Sequence, residues 1–168
     1  FDANFVGDAV SMSREYLVQN SLSVRAGDAV RKDPLVVNFS GAATELTSTR
    51  FSFDLDVDGK AEQIAFVKPD SGVLVLDHNG DGKVNDGGEV VGARSGDGFA
   101  DLAAQDGDHN GWLDEGDAIF SKLRIWVRDE QGKDMMFTLK QKNIGAISLA
   151  TINTPFEIKD AQNRSLGQ

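Results

Sequence analysis

Two runs of carboxylates and amides between Asp77 and Asp117 are spaced to surround a hard cation. The cleaner run is Asp106-Gly-Asp108-His-Asn110-Gly111-Trp112-Leu113-Asp114-Glu-Gly-Asp117. Calcium takes six to eight oxygens, so one short loop satisfies it only by turning alternate residues inward, at loop positions 1, 3, 5, 7, 9 and 12. Asp106, Asp108 and Asn110 fill the first three positions, the Trp112 carbonyl serves at 7, Asp114 at 9 directly or through water, and Asp117 closes the shell. Gly111 stands at position 6, where the sharp turn requires a residue without a Cβ. The spacing therefore predicts an EF-hand-type calcium loop. Because Asp117 occupies the place of the commoner Glu, its shorter carboxylate predicts weaker affinity or a tightened loop.

The companion run is Asp77-His-Asn79-Gly-Asp81-Gly82-Lys83-Val84-Asn85-Asp-Gly-Gly-Glu89. Asp77, Asn79, Asp81, the Lys83 carbonyl and Asn85 take the same roles, with Gly82 at the turn. The closing acid, Glu89, falls one place late; the Gly87-Gly88 pair absorbs the extra residue while the longer side chain reaches back. Val84 and Leu113 both stand at position 8, where paired loops of this type share a short strand, so the two loops are expected to pair. A third stretch, Asp54-Leu-Asp56-Val-Asp58-Gly59, repeats the first half of the motif but has Ala65 at its twelfth place. A hairpin turn capped by Asp side chains is the favoured reading there, with a weaker third ion as the alternative.

The elements that must hold these loops are mostly short strands. Leu35-Val-Val-Asn-Phe39 reads as a buried strand begun by Pro34, whose missing N–H needs no partner there. Phe51, Phe53, Leu55 and Val57 alternate along a strand that turns at Asp54–Gly59 and returns through Ile64 and Phe66. Gly72-Val-Leu-Val-Leu76 is a strand feeding directly into Asp77. Phe99-Ala-Asp-Leu102-Ala-Ala-Gln105 has helical spacing with Asp97 as N-cap, and a short helix over 117–122 is expected to leave the second loop. Strands follow at Leu123 to Val127, Met135 to Phe137 and Gly145 to Ala150, with a helix over 139–142 capped by Thr138. The fold class is α+β: mainly β strands and hairpins, with short helices flanking two EF-hand-like calcium loops. The expected divisions are an N-terminal strand-rich segment (1–32), the calcium-binding domain (33–150) and a closing hairpin (151–168) that is cut off at Gln168. Within 1–32, periodicity does not decide between short strands and one helix over 14–20.

Composition narrows the functions. The 168 residues carry 27 acids against 17 bases, a formal net charge of −10. That balance argues against nucleic acid or an anionic membrane as partner and fits a carrier of divalent cations. Cysteine is absent, which removes disulfides, thiolate metal sites and a cysteine nucleophile. No apolar run approaches the roughly 18 residues of a membrane span. The start at Phe1, without Met or a signal-peptide pattern, predicts a piece of something longer. The two imidazoles, His78 and His109, fall at even loop positions that point outward, which leaves a conventional hydrolase without support. Zinc is disfavoured by the hard oxygen donors.

In their order, Leu-Asp-His-Asn-Gly-Asp-Gly-Lys, Gly-Phe-Ala-Asp-Leu-Ala, Asp-Gly-Asp-His-Asn-Gly-Trp-Leu-Asp, Leu-Arg-Ile-Trp and Gly-Ala-Ile-Ser-Leu resemble the calcium-binding EF-hand-like region of large secreted bacterial proteins of the RTX type. The resemblance covers roughly 33–149. It implies a calcium-stabilised structural or interaction module of a larger extracellular or cell-surface protein. As an alternative it implies an enzyme acting on itself, since a self-processing module of that family cleaves an Asp-Pro bond at its start when calcium binds, and Asp33-Pro34 falls at the matching place. The chain departs from the family at Asn38-Phe-Ser-Gly, where a further Asp-rich loop is usual, and at the shortened Asp129-Glu-Gln-Gly turn. A third reading, a dockerin-type interaction module, also uses Asp-rich loops ending in Asp. It ranks last because one loop here is entered by a strand.

Overall fold

The computed structural model describes residues 32, 34–41 and 44–150, together with the backbone of 158–159 and 165–167. The expected N-terminal segment lies almost wholly outside the described residues, as does Asp33.

Four antiparallel strands form the central sheet. In chain order they are β1 (Val36–Asn38), β4 (Ser71–Leu76), β6 (Leu123–Arg128) and β7 (Asp134–Thr138), and they lie side by side in that order. Strand β4 pairs with β1 through Val36↔Val73 and with β6 through Leu76↔Leu123 and Val73↔Trp126. Period-two alternation sends neighbouring side chains to opposite faces, and here both faces are covered. On one face Leu35, Val37, Leu74, Leu123, Ile125 and Val127 join a core with Leu102, Leu113, Leu139 and Ile147. On the other, Val36, Val73, Val75 and Trp126 pack against Phe53, Leu55, Ile64 and Phe66. The rings of Phe66 and Trp126 stand 4.5 Å apart.

Each cover carries an acidic loop. The second face is roofed by the hairpin of β2 (Leu46–Phe53) and β3 (Glu62–Val67), whose connection is 54–61. The first face is covered by helix α1 (Gly98–Ala103) and by a two-residue pair, β5 (Trp112–Leu113) with β8 (Ile147–Ser148). As expected, Asp97 caps α1, accepting from the Ala100 N–H at 2.9 Å. Thr138 and Gln141 cap each other reciprocally, at 2.8 and 3.1 Å, around the 3-10 turn Lys140–Lys142. The C-terminal hairpin exists as β9 (Ile158–Lys159) paired with β10 (Ser165–Gly167).

Three expectations are corrected. The exit from the second loop is not a helix over 117–122 but turns ending in a single 3-10 turn, Phe120–Lys122. The first loop likewise runs from a strand into a 3-10 turn, Gly87–Glu89, so neither loop sits in a helix–loop–helix frame. Nor do the two loops share a strand through Val84 and Leu113. Leu113 pairs with Ile147, whereas Val84 packs among the residues around Trp126 on the opposite face of the sheet. The central sheet stands between the two positions, and it keeps those residues from meeting.

Candidate metal sites

The three acidic loops share one backbone design. Taking Asp54, Asp77 and Asp106 as first positions, the fourth residues Val57, Gly80 and His109 all have positive φ (63°, 73° and 58°). The sixth, Gly59, Gly82 and Gly111, do also (85°, 74° and 81°). These two left-handed residues turn the intervening amides inward, and the first carboxylate collects them. Asp54 accepts from Asp58 N–H and Gly59 N–H at 3.1 and 2.9 Å; Asp77 accepts from Gly80 N–H and Gly82 N–H at 2.7 and 3.1 Å; Asp106 accepts from Asn110 N–H and Gly111 N–H at 3.3 and 3.0 Å. In all three, the fifth residue's side-chain oxygen accepts from the seventh N–H: Asp58 from Lys60 at 2.8 Å, Asp81 from Lys83 at 2.8 Å and Asn110 from Trp112 at 2.7 Å.

The closing acids complete the pattern. Asp117, only 4% exposed, holds both sides of its loop, taking Gly107 N–H at 2.7 Å and Asp114 N–H at 3.0 Å. Glu89, also buried, reaches back as the Gly-Gly pair predicts and accepts from Asn85 N–H at 2.9 Å. In the first hairpin loop the sequence motif has no acid at its twelfth place, yet Glu62, at the ninth, accepts from Leu55 N–H at 3.0 Å. Glu62 is a residue that the loop template missed. The available signal is an acid at the base of the returning strand, at a place the template gives to a weaker ligand.

Among the described residues, two groups bring carboxylate oxygens within 4.8 Å of one another: Asp54, Asp56, Asp58 and Glu62, and Asp106, Asp108 and Asp117. The 54–62 loop thus gathers four carboxylates, whereas the 77–89 loop, whose donors alternate acids with the amides of Asn79 and Asn85, makes no such all-carboxylate group. There the Asn85 amide nitrogen stands between Asp81 and Glu89, donating to both at 3.1 and 3.3 Å. Asp114 is not in the second group either; its carboxylate caps the Gly116 N–H at 2.7 Å. Trp112 is half-buried in β5, and Lys83 is exposed. Both histidines are exposed, as their even positions predict.

Hydrogen bonding tunes these carboxylates. Burial works to raise the pKa of Asp106, but the amides of Gly111 and Asn110 overcome it and hold the group below its ordinary value. The Asn85 amide and then the Lys83 N–H lower Asp81, while the Lys60 N–H, with help from its ammonium 3.3 Å away, lowers Asp58. The clustered carboxylates form an oxygen-only donor set, which suits a hard divalent ion better than a soft one.

These features define a class: a small antiparallel β module whose connections carry acidic loops able to hold metal ions. The chain belongs to the SPM domain family, whose model matches residues 35–168. It is also similar to the iron-regulated protein FrpA of Neisseria meningitidis serogroup C, with 28% identity over 142 residues. That match takes in 75% of this chain and 13% of the relative, so the chain corresponds to a small part of a much longer protein. No helix of the described residues is long and apolar enough to cross a membrane.

Proposed function

We propose that the protein is a calcium-binding structural or interaction module of a larger secreted or cell-surface bacterial protein, held in shape by the ions at its acidic loops. The observation that carries this reading is the shared loop design: left-handed residues at positions four and six and a closing acid tied back across each loop. A solvated acidic turn needs none of the three. Calcium is favoured over magnesium because these loops offer many protein oxygens, whereas magnesium retains most of its water. The test uses terbium in place of calcium. With Trp126→Phe removing the second indole, excitation of Trp112, at position seven of its loop, should give sensitised emission that Asp106→Ala removes; emission that survives the substitution refutes binding at 106–117.

A second reading, calcium-triggered cleavage of Asp33-Pro34, is favoured by the setting of Pro34. Pro34 is buried, and the next residue donates its N–H to the Val91 carbonyl at 3.1 Å, two residues beyond the closing acid Glu89. The amine side of the bond is thereby tied to the exit of an acidic loop. In the reaction the protonated Asp33 carboxyl attacks its own peptide carbonyl to form a cyclic anhydride, the C–N bond breaks, and the carboxyl proton passes to the Pro34 nitrogen, which leaves as a secondary amine. Water then opens the cyclic anhydride. Incubation in millimolar calcium followed by mass spectrometry should give a fragment beginning at Pro34 that Asp33→Ala abolishes. A chain intact after days refutes it.

A further inference from the structure

We infer that the loops 54–62 and 77–89 bind their cations as one coupled unit, while the 106–117 loop binds independently; this rests on the calcium reading above. Loops 54–62 and 77–89 touch through backbone. Gly87 N–H donates to the carbonyl of Asp54, the first residue of the other loop, at 2.8 Å. A Cβ on Gly87 would lie 1.8 Å from the Leu55 carbonyl oxygen, so the two backbones are in direct contact where only glycine fits.

Each partner in that contact is also fixed by the closure of its own loop. On one side Leu55 N–H is gripped by Glu62 and the Asp54 side chain collects Asp58 and Gly59. On the other, Gly87 opens the 3-10 turn that carries Glu89, and Asp86 caps that turn through Gly88 N–H at 2.8 Å. An ion that draws in Glu62 therefore sets the carbonyl that holds Gly87, and an ion that draws in Glu89 sets the amide that holds Asp54. Ordering one loop removes part of the ordering cost of the other, which is positive coupling. Side chains repeat the connection, since Leu55 and Val90 pack in the same core on one face of the sheet. Loop 106–117 lies against the opposite face, with Leu113 in the other core and its strand paired to β8.

The experiment is a calcium titration of the isotopically labelled full chain followed by amide NMR, with the sixth-position glycines Gly59, Gly82 and Gly111 reporting one loop each. Gly59 and Gly82 should shift along one steep curve with a Hill coefficient above one, and Gly111 along its own. Glu62→Gln should weaken the Gly82 midpoint by at least about fivefold, and Glu89→Gln the Gly59 midpoint by the same factor, because coupling of binding is reciprocal. Gly111 should not move in either variant. If all three glycines respond but Glu62→Gln moves Gly59 alone, the coupling is overturned and the calcium reading stands. If neither Gly59 nor Gly82 responds to calcium in the unaltered chain, both fall for these loops.

Discussion

Val57 is a β-branched, 43% exposed residue at φ 63°, a conformation its equivalents leave to glycine in one loop and to histidine in another. Nothing but the loop design demands it, so Val57→Gly should relieve strain and raise stability by about 1 kcal/mol, net of the entropy of the added glycine. A urea midpoint that increases with unchanged slope would show this; a lower midpoint would mean the valine is not strained. The depressed carboxylates give a second expectation at this scale. Asp58, Asp81 and Asp106 bind protons more weakly folded than unfolded, so their contribution is complete above the ordinary aspartate value of about 3.9 and is lost as pH falls below it. Cation-free melts should therefore drop below about pH 4, and a midpoint that instead increases on acidification would show that repulsion among the acids dominates. Most of these residues were legible from their spacing, because alternation and the turn glycine are local properties of the chain. Glu62 was not, since its part depends on where a returning strand places it. Asp114, expected at the ninth position, also caps the Gly116 N–H, a partner that the spacing does not reveal.

Among the elements, the two position-eight residues make a controlled comparison. Leu113 is fully buried in β5 and in the core above the first face, so Leu113→Ala should cost about 3 kcal/mol and weaken cation binding at 106–117. Val84 is half-buried and belongs to no strand, so Val84→Ala should cost less than about 1.5 kcal/mol and leave 106–117 binding unchanged. Equal penalties, or a shared effect on that loop, would restore the loop pairing that the sheet excludes. The strands were readable because hydrophobic alternation survives in Val36, Val73 to Val75 and Ile125 to Val127 whatever their partners. Which strands pair was not readable, because β1, β4 and β6 meet across long stretches of sequence. The exit helix failed for a different reason: Ile119 and Phe120 supply an apolar edge, but Asp117 is committed to the loop and only one 3-10 turn remains.

For the molecule as a whole, an ion bound only by the native state adds RT ln(1 + [L]/Kd), about 2.7 kcal/mol per site at a hundredfold excess. Thermal midpoints should climb with calcium and fall with chelator, and a midpoint indifferent to millimolar calcium would remove the stabilising role. The pairing of Leu76 with Leu123 carries this further, into time. Those residues end one central strand and begin its neighbour, and everything between them, including two acidic loops, is an excursion whose ends must meet before the sheet can zip. Closing so long a detour is entropically slow, and like charges along it hold the chain open. A cation that pinches the detour shortens the search as well as steadying the product. Calcium should accordingly speed refolding in stopped-flow experiments, where an ion acting on the finished fold alone would only slow unfolding. The chain would then carry its own clock, one that starts when the surrounding medium supplies the ion.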